Sequence, residues 1–268
     1  MNRVVPAPDD SNALMVVHGK TEQSWVALDD PLHLEFEYVQ RVADVLEVSI
    51  LQRPYAERVR VVHVGGGGMT LARYVEARRR GTAQIVLEPD VALIEEVRKN
   101  LPPVPRATVK VRPVDGLTGV SDLPSGCADV VIIDAFDGPS VPAELATVDF
   151  FVQVRRVLRA DGLAVMNLTD RAPFEWGRRC VAGLAEVFAS LAVIGEVPIW
   201  KGRRFGNLIA VAGMELPLEA LTRRIAQAPF PYRVSTAEHL RGWLGGAAPF
   251  VGTDALPSPA PEGRAWFS

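Results

Sequence analysis

Cysteine is almost missing from this chain: its 268 residues include two, Cys127 and Cys180. That leaves no disulfide framework and no cysteine metal pattern, and it is the usage expected of a reduced, cytoplasmic protein. Excess basic charge is also lacking. Lys and Arg number 29 against 32 Asp and Glu, a formal net charge of −3, so there is no electrostatic case for nucleic acid. The local Arg clusters, Arg78–Arg80, Arg203–Arg204 and Arg223–Arg224, read as solvated faces. No apolar run approaches a membrane span of roughly 20 residues, and no signal-peptide pattern opens the chain; neither membrane nor export is expected. What is present is ordinary for a globular protein, 48% hydrophobic and 23% charged, and long enough for one α/β domain with a small appendage.

The chain is organised around residues 59–90. Val59 to Val64 is apolar and mostly β-branched, and Gly65–Gly68 end it abruptly. A buried parallel strand reads this way when it runs into a turn made of backbone alone. Helical spacing follows over Met69–Arg80, then a second apolar run, Gln84–Leu87, ends on Glu88. Strand, glycine turn, helix, strand and acid is a βαβ unit suited to a nucleoside. Its glycines let backbone N–H groups approach the ligand, and the acid can hold two ribose hydroxyls. The third glycine of the dinucleotide fingerprint is replaced by Thr70, which leans away from a dinucleotide.

Ahead of this unit, residues 1–12 are polar and expected to fray. Short apolar runs from Ala13, broken at His18-Gly19-Lys20, predict a β-hairpin, and Leu32–Val48 a helix. Behind it the alternation continues: helix Val91–Leu101, strand Ala107–Val114, strand Ala128–Ile133, helix Val148–Arg159 stopped by Gly162, strand Leu163–Leu168 and helix Phe174–Leu191. Two late strands, near 192–197 and 206–212, are joined through Lys201-Gly202-Arg203, a connection too short for a parallel crossover, so they must be antiparallel. The expected architecture is a mostly parallel sheet with helices on both faces and a terminal antiparallel hairpin. Three segments follow: a small N-terminal β-element with its helix over residues 1–55, a Rossmann-like nucleoside-binding domain over 56–245, and a proline-rich tail over 246–268.

In such a sheet the ligand sits beyond the carboxyl ends of the strands. Those ends carry Gly65, Gly66, Gly67 and Gly68, then Glu88, Asp115 and Asp134, with Asp137 three residues on. Glu88 suits a ribose and Asp115 an adenine amino group. Any one of them could be a solvated or capping acid; several at successive strand ends are harder to explain that way.

These stretches carry a resemblance. HGKTEQSW, LDDPLHLEFEYV, HVGGGGMTLARYV, VLEPD, VDG, VIIDAFDGP and VPIWKGRRFGN resemble the spermidine synthase (polyamine aminopropyltransferase) family over roughly residues 13–215. The resemblance implies a small N-terminal β-domain before a class I methyltransferase-like domain, a cytoplasmic homodimer, a small-molecule amine acceptor, decarboxylated S-adenosylmethionine as donor, and no metal. Carried over by position, Gln23 contacts the thioether nucleoside, Glu88 the ribose, and Asp115 with Gly116 the adenine. Asp134 deprotonates the attacking amine and Asp137 helps hold it. The chemistry agrees, since an alkylammonium must lose a proton before it attacks carbon, and acidic walls favour a sulfonium donor and a cationic acceptor.

The departures fall on the amine side. Gly68 stands where the family has an aspartate that contacts the donor's ammonium, so discrimination against intact S-adenosylmethionine is expected to be weak. His33, near Glu35, stands at the place of an amine-lining tyrosine, and Trp200 at that of another. Three functions follow for testing: aminopropyl transfer to a diamine such as putrescine, methyl or alkyl transfer from intact S-adenosylmethionine, and nucleoside binding without turnover.

Overall fold

The computed structural model describes residues 2–19, 21–105 and 108–261. Two antiparallel hairpin connections build a small N-terminal sheet from β1 (Asn2–Pro6), β2 (Ala13–His18) and β3 (Thr21–Ala27), in the order β1-β2-β3. The expectation of a frayed N-terminus is corrected here. β1 pairs with β2 from Asn2 opposite His18 to Pro6 opposite Leu14, so the backbone groups that face β2 are satisfied by the sheet.

The large sheet uses β4 (Arg60–Val64), β5 (Ala83–Leu87), β6 (Val109–Arg112), β7 (Ala128–Ile133), β8 (Leu158–Asp170), β9 (Ser190–Glu196), β10 (Gly206–Gly213) and β11 (Tyr232–Thr236). Its order is β11-β9-β10-β8-β7-β4-β5-β6. The run β8-β7-β4-β5-β6 is parallel; β10 pairs antiparallel with β9, as their short connection requires, and also with β8. β11 adds a further antiparallel edge beyond the expected hairpin. The expected strand from Ala107 begins at Val109; Ala107 lies outside the described residues.

The helices are α1 (Glu37–Glu47), α2 (Thr70–Arg78), α3 (Val91–Asn100), α4 (Gly116–Ser121), α5 (Val148–Val157), α6 (Glu175–Val187), α7 (Val197–Trp200), α8 (Leu218–Ile225) and α9 (Ala237–Leu244). One sheet face buries Phe150 and Phe151 of α5, Cys180 and Leu184 of α6 and Leu240 of α9. The other buries Val42, Val45 and Leu46 of α1, Tyr74 and Val75 of α2 and Leu221 of α8. The sheet is buried on both faces, which is why β7 reads as an unbroken apolar run rather than an alternating one. A separate apolar cluster joins Val16 and Val26 of the small sheet to Met69 and to Leu93 and Val97 of α3. It holds the small sheet over the carboxyl end of β4, where the ligand crevice opens. Among the described residues, no helix is long and apolar enough to cross a membrane.

Candidate active site

Gly65 turns the chain at the end of β4 with φ 97°, where a side chain is strained. A Cβ there would also overlap the Asp134 carbonyl oxygen at the end of β7. The next amide, Gly66 N–H, donates to Glu88 Oε2 at 2.8 Å, and Asp90 N–H donates to Glu88 Oε1 at 3.0 Å. Glu88 is thus fixed by two backbone amides at the end of β5, each oxygen keeping a lone pair for a ligand hydroxyl. The Asp90 carboxylate in turn caps α3 by accepting from Leu93 N–H, a favoured use of Asp at a helix start.

Asp115 commits one carboxylate oxygen to the backbone. Oδ1 accepts from Thr118 N–H at 2.8 Å and caps α4. The amides of that first turn hold its pKa below the usual carboxylate range. Gly116 behind it is buried, and a Cβ there would run into Val64. These residues border one cavity of about 730 Å³, open along the carboxyl ends of the parallel strands. Gln23 of β3 closes it from above, its side-chain amide donating to the Gly138 carbonyl at 3.4 Å.

Asp134 lies in the cavity wall between the Glu88–Asp115 end and β8. Asn167 Nδ2 donates to its Oδ1 at 3.0 Å, and the Tyr38 hydroxyl of α1 lies close enough to act on it. Burial pushes its pKa up to about 6, against the opposing pull of those two donors. A carboxylate poised there can take a proton near neutral pH. The same burial, with Asp134 alongside, pushes the Tyr38 hydroxyl well up. His63 also borders the cavity, but burial lowers it to about 4, so it is neutral and hydrogen-bonded to Gln84 at 2.8 Å. Asp137 is exposed on the following loop, pairing through its backbone with Ser140, and lines the cavity with Glu144.

Three residues expected in the site are placed elsewhere. Gly68 is buried against the small sheet, its N–H donating to Ser24 Oγ at 2.8 Å, and a Cβ there would point at Val26, Ser24 and Val16. His33 is exposed, pairs with Glu35 at 3.2 Å and leans on Trp25. Trp200 packs with Phe174 and Trp243 on the far side of the β9–β10 connection. Neither His33 nor Trp200 borders the cavity, whereas Glu35 does. The residues that sequence reasoning missed are Tyr38, Asn167 and Asn207.

The proline-rich C-terminal stretch also contributes. Ser258 exchanges backbone and side-chain bonds with Val141, Val141 N–H to Ser258 Oγ at 2.8 Å and Ser258 N–H to Val141 O at 3.1 Å, and its hydroxyl meets Thr169 at 3.0 Å. Pro257 thereby borders the cavity. Among the described lining residues there is no Lys or Arg, while the acids are Glu22, Glu35, Glu88, Asp90, Asp115, Asp134, Asp137 and Glu144. The field inside favours cations.

No family model matches the chain. A polyamine aminopropyltransferase of Methylococcus capsulatus is 46% identical over 55 residues, 20% of this chain and 19% of that protein's length. The crystal structure of a probable spermidine synthase from Corynebacterium glutamicum superposes with a TM-score of 0.83 at 27% identity, covering 94% of this chain and 92% of that one. Human methyltransferase-like protein 13, solved with SAH, shares the fold, with a TM-score of 0.58 at 20% identity over 81% of this chain and 95% of its own.

Proposed function

We propose that this chain, a relative of the spermidine synthases, which are transferases, moves an aminopropyl group from decarboxylated S-adenosylmethionine to a diamine such as putrescine. The observation that carries this reading is Asp134: a carboxylate whose pKa burial raises to about 6, in a cavity whose described lining holds eight acids and no Lys or Arg. The diamine nitrogen arrives protonated and gives its proton to Asp134. Its lone pair then forms a C–N bond to the methylene next to the sulfonium as the C–S bond breaks, and the electron pair leaves on sulfur as methylthioadenosine. Tyr38 and Asn167 hold Asp134 toward the acceptor. Asp137, with Glu35, lies where the acceptor's distal ammonium would sit. Glu88 holds the ribose; Asp115 and Gly116, with Gln23, hold the rest of the nucleoside. In the same reading the enzyme is a cytoplasmic homodimer that acts on small molecules without a metal.

The acidic lining supports the decarboxylated donor over intact S-adenosylmethionine. The intact form brings a carboxylate that meets no Lys or Arg among the described lining residues, and the like charges there disfavour it. Calorimetry with the two donors is expected to show at least about a tenfold preference for the decarboxylated one, roughly 1.4 kcal/mol. Equal affinity, or tighter binding of the intact form, would turn the reading to methyl transfer.

The nucleoside assignment has its own test. Glu88→Gln keeps the shape but loses the charge that pairs with ribose hydroxyls, so methylthioadenosine affinity is expected to fall by about 1.5–3 kcal/mol. Asp115→Ala is expected to act similarly and also to lose a helix cap, about 1 kcal/mol of stability. Undiminished methylthioadenosine binding in both variants would remove the nucleoside from this end of the cavity.

A further inference from the structure

The side chain that meets Asp134 from β8 is an amide, and an amide has a donating and an accepting end. Asn167 is 2% exposed. Its NH2 faces Asp134 at 3.0 Å, so its carbonyl oxygen faces away, where Asn207 Nδ2 donates to it at 2.9 Å. Asn207 lies opposite Thr169 in the β8–β10 register, which sets it diagonally from Asn167 on the same sheet face. Both amides border the cavity.

We propose that Asn207 is a positioning residue for the base: it holds the Asn167 amide so that NH2, and not oxygen, faces Asp134. An ionised carboxylate accepts only, so it needs that NH2; were the amide reversed, only a protonated Asp134 could bond to it. The orientation stands on the hydrogen bonds alone, and its consequence for turnover rests on the reading of Asp134 as base.

The other groups around the cavity do not substitute for it. Tyr38 offers one hydroxyl from α1. The α2-facing His63 is neutral and bonded to Gln84, and His18 sits at the rim on β2. The remaining charged lining groups are carboxylates: Asp137 and Glu144 on the loop after β7, Glu35 before α1, Glu22 on β3, and the acids of the nucleoside end. Carboxylates cannot donate, so the ionised form rests on the Asn167 amide, with the Tyr38 hydroxyl nearby.

The test uses Asn207→Leu and Asn207→Asp, both close to asparagine in size. The leucine removes the donor without adding charge; the aspartate replaces it with an acceptor that turns the Asn167 amide over. The carboxyl ¹³C signal of Asp134, identified by its loss in Asp134→Asn, is followed through a pH titration beside the pH profile of kcat. Asn207→Asp is expected to raise the Asp134 midpoint so that about tenfold more of it is protonated at a given pH near neutrality. Asn207→Leu is expected to raise it less, and in both the acidic limb of kcat moves with it while methylthioadenosine affinity stays unchanged. Asn207→Ala serves if a thermal melt shows the leucine variant unfolded. An Asp134 midpoint unchanged in Asn207→Leu or its alanine substitute overturns the proposal. A shifted midpoint in a protein that turns over no diamine keeps the orientation role and sinks the aminopropyl-transfer reading instead.

Discussion

Asp134→Asn is expected to bind methylthioadenosine as tightly as the native chain and to lose most turnover, by roughly 10²–10⁴-fold. The asparagine fits the same space and still meets Asn167 and Tyr38, but it cannot accept the acceptor's proton. Stability is expected to move the other way. Burial raises the folded-state pKa of Asp134 to about 6, above the value of an exposed aspartate near 3.9. The folded form therefore holds its proton more firmly than the unfolded chain does between these two values. That contribution is fully present below about pH 4 and is lost as pH rises through about 6. Above it, the charged carboxylate burdens the fold by up to about 3 kcal/mol, which the neutral asparagine relieves. Thermal melts at pH 4 and pH 7.5 read the difference: little at the acid value, a higher Tm for the variant at the other. A variant with near-normal rate on a diamine excludes the base role and favours a transfer in which the acceptor needs no enzyme base. A variant no more stable at pH 7.5 would show that Asp134 is better solvated than its surroundings suggest.

The legible parts of this chain were those in which one physical constraint dominates a run of residues. β7, ADVVII, is buried on both faces and reads as continuous apolar sequence; its observed limits, Ala128–Ile133, match the expectation. The glycine turn and the acid after β5 were legible because the close backbone approach demands glycine and the turn's own amide demands an acceptor. The N-terminal strand was not. It holds Pro6 and exposed Arg3, and pairing with β2, a tertiary fact, decides its conformation. β11, α8 and α9 are short and lie between Pro and Gly residues, where local signals are weak. Tyr38 falls inside the helix expected over Leu32–Val48, and helical spacing carries no mark of a hydroxyl that acts on Asp134. Asn167 and Asn207 left a usable trace: each is a lone amide in an apolar strand, at the end where ligands bind. A buried amide there needs partners on both ends, and that requirement leads to Asp134.

Gly68→Asp is expected to destabilise the fold by about 3–5 kcal/mol, and not to retune the choice of donor. The sequence resemblance pointed the other way, toward an aspartate beside the donor's ammonium and weak discrimination in its absence. The difference lies in the direction of one bond. A Cβ on Gly68 would stand 2.8 Å from Val26 Cγ2, 3.0 Å from Ser24 Cβ and 3.3 Å from Val16 Cγ2, inside the apolar contact between the small sheet and the glycine turn. The backbone is not the obstacle, because the left-handed residues of this turn are Gly65, Gly67 and Met69. What fails is space and charge. A carboxylate there faces two valines and the Ser24 hydroxyl already engaged by Gly68 N–H. The nearby guanidinium of Arg73 donates to the Gly68 carbonyl at 3.1 Å, and burial lowers its pKa to about 10. It is the group that could soften the penalty, at the expense of that bond. Urea unfolding compares Gly68→Asp with Gly68→Ala. The alanine is expected to lose less, since it brings the clash without the charge. Calorimetry on the folded fraction is expected to leave the ratio of decarboxylated to intact donor within about threefold of the native chain's, under about 0.7 kcal/mol. A stable Gly68→Asp protein whose preference moves tenfold or more toward the decarboxylated donor would mean that the turn presents residue 68 to the ligand in solution. The small sheet would then sit differently over the glycine turn than it does in this structure.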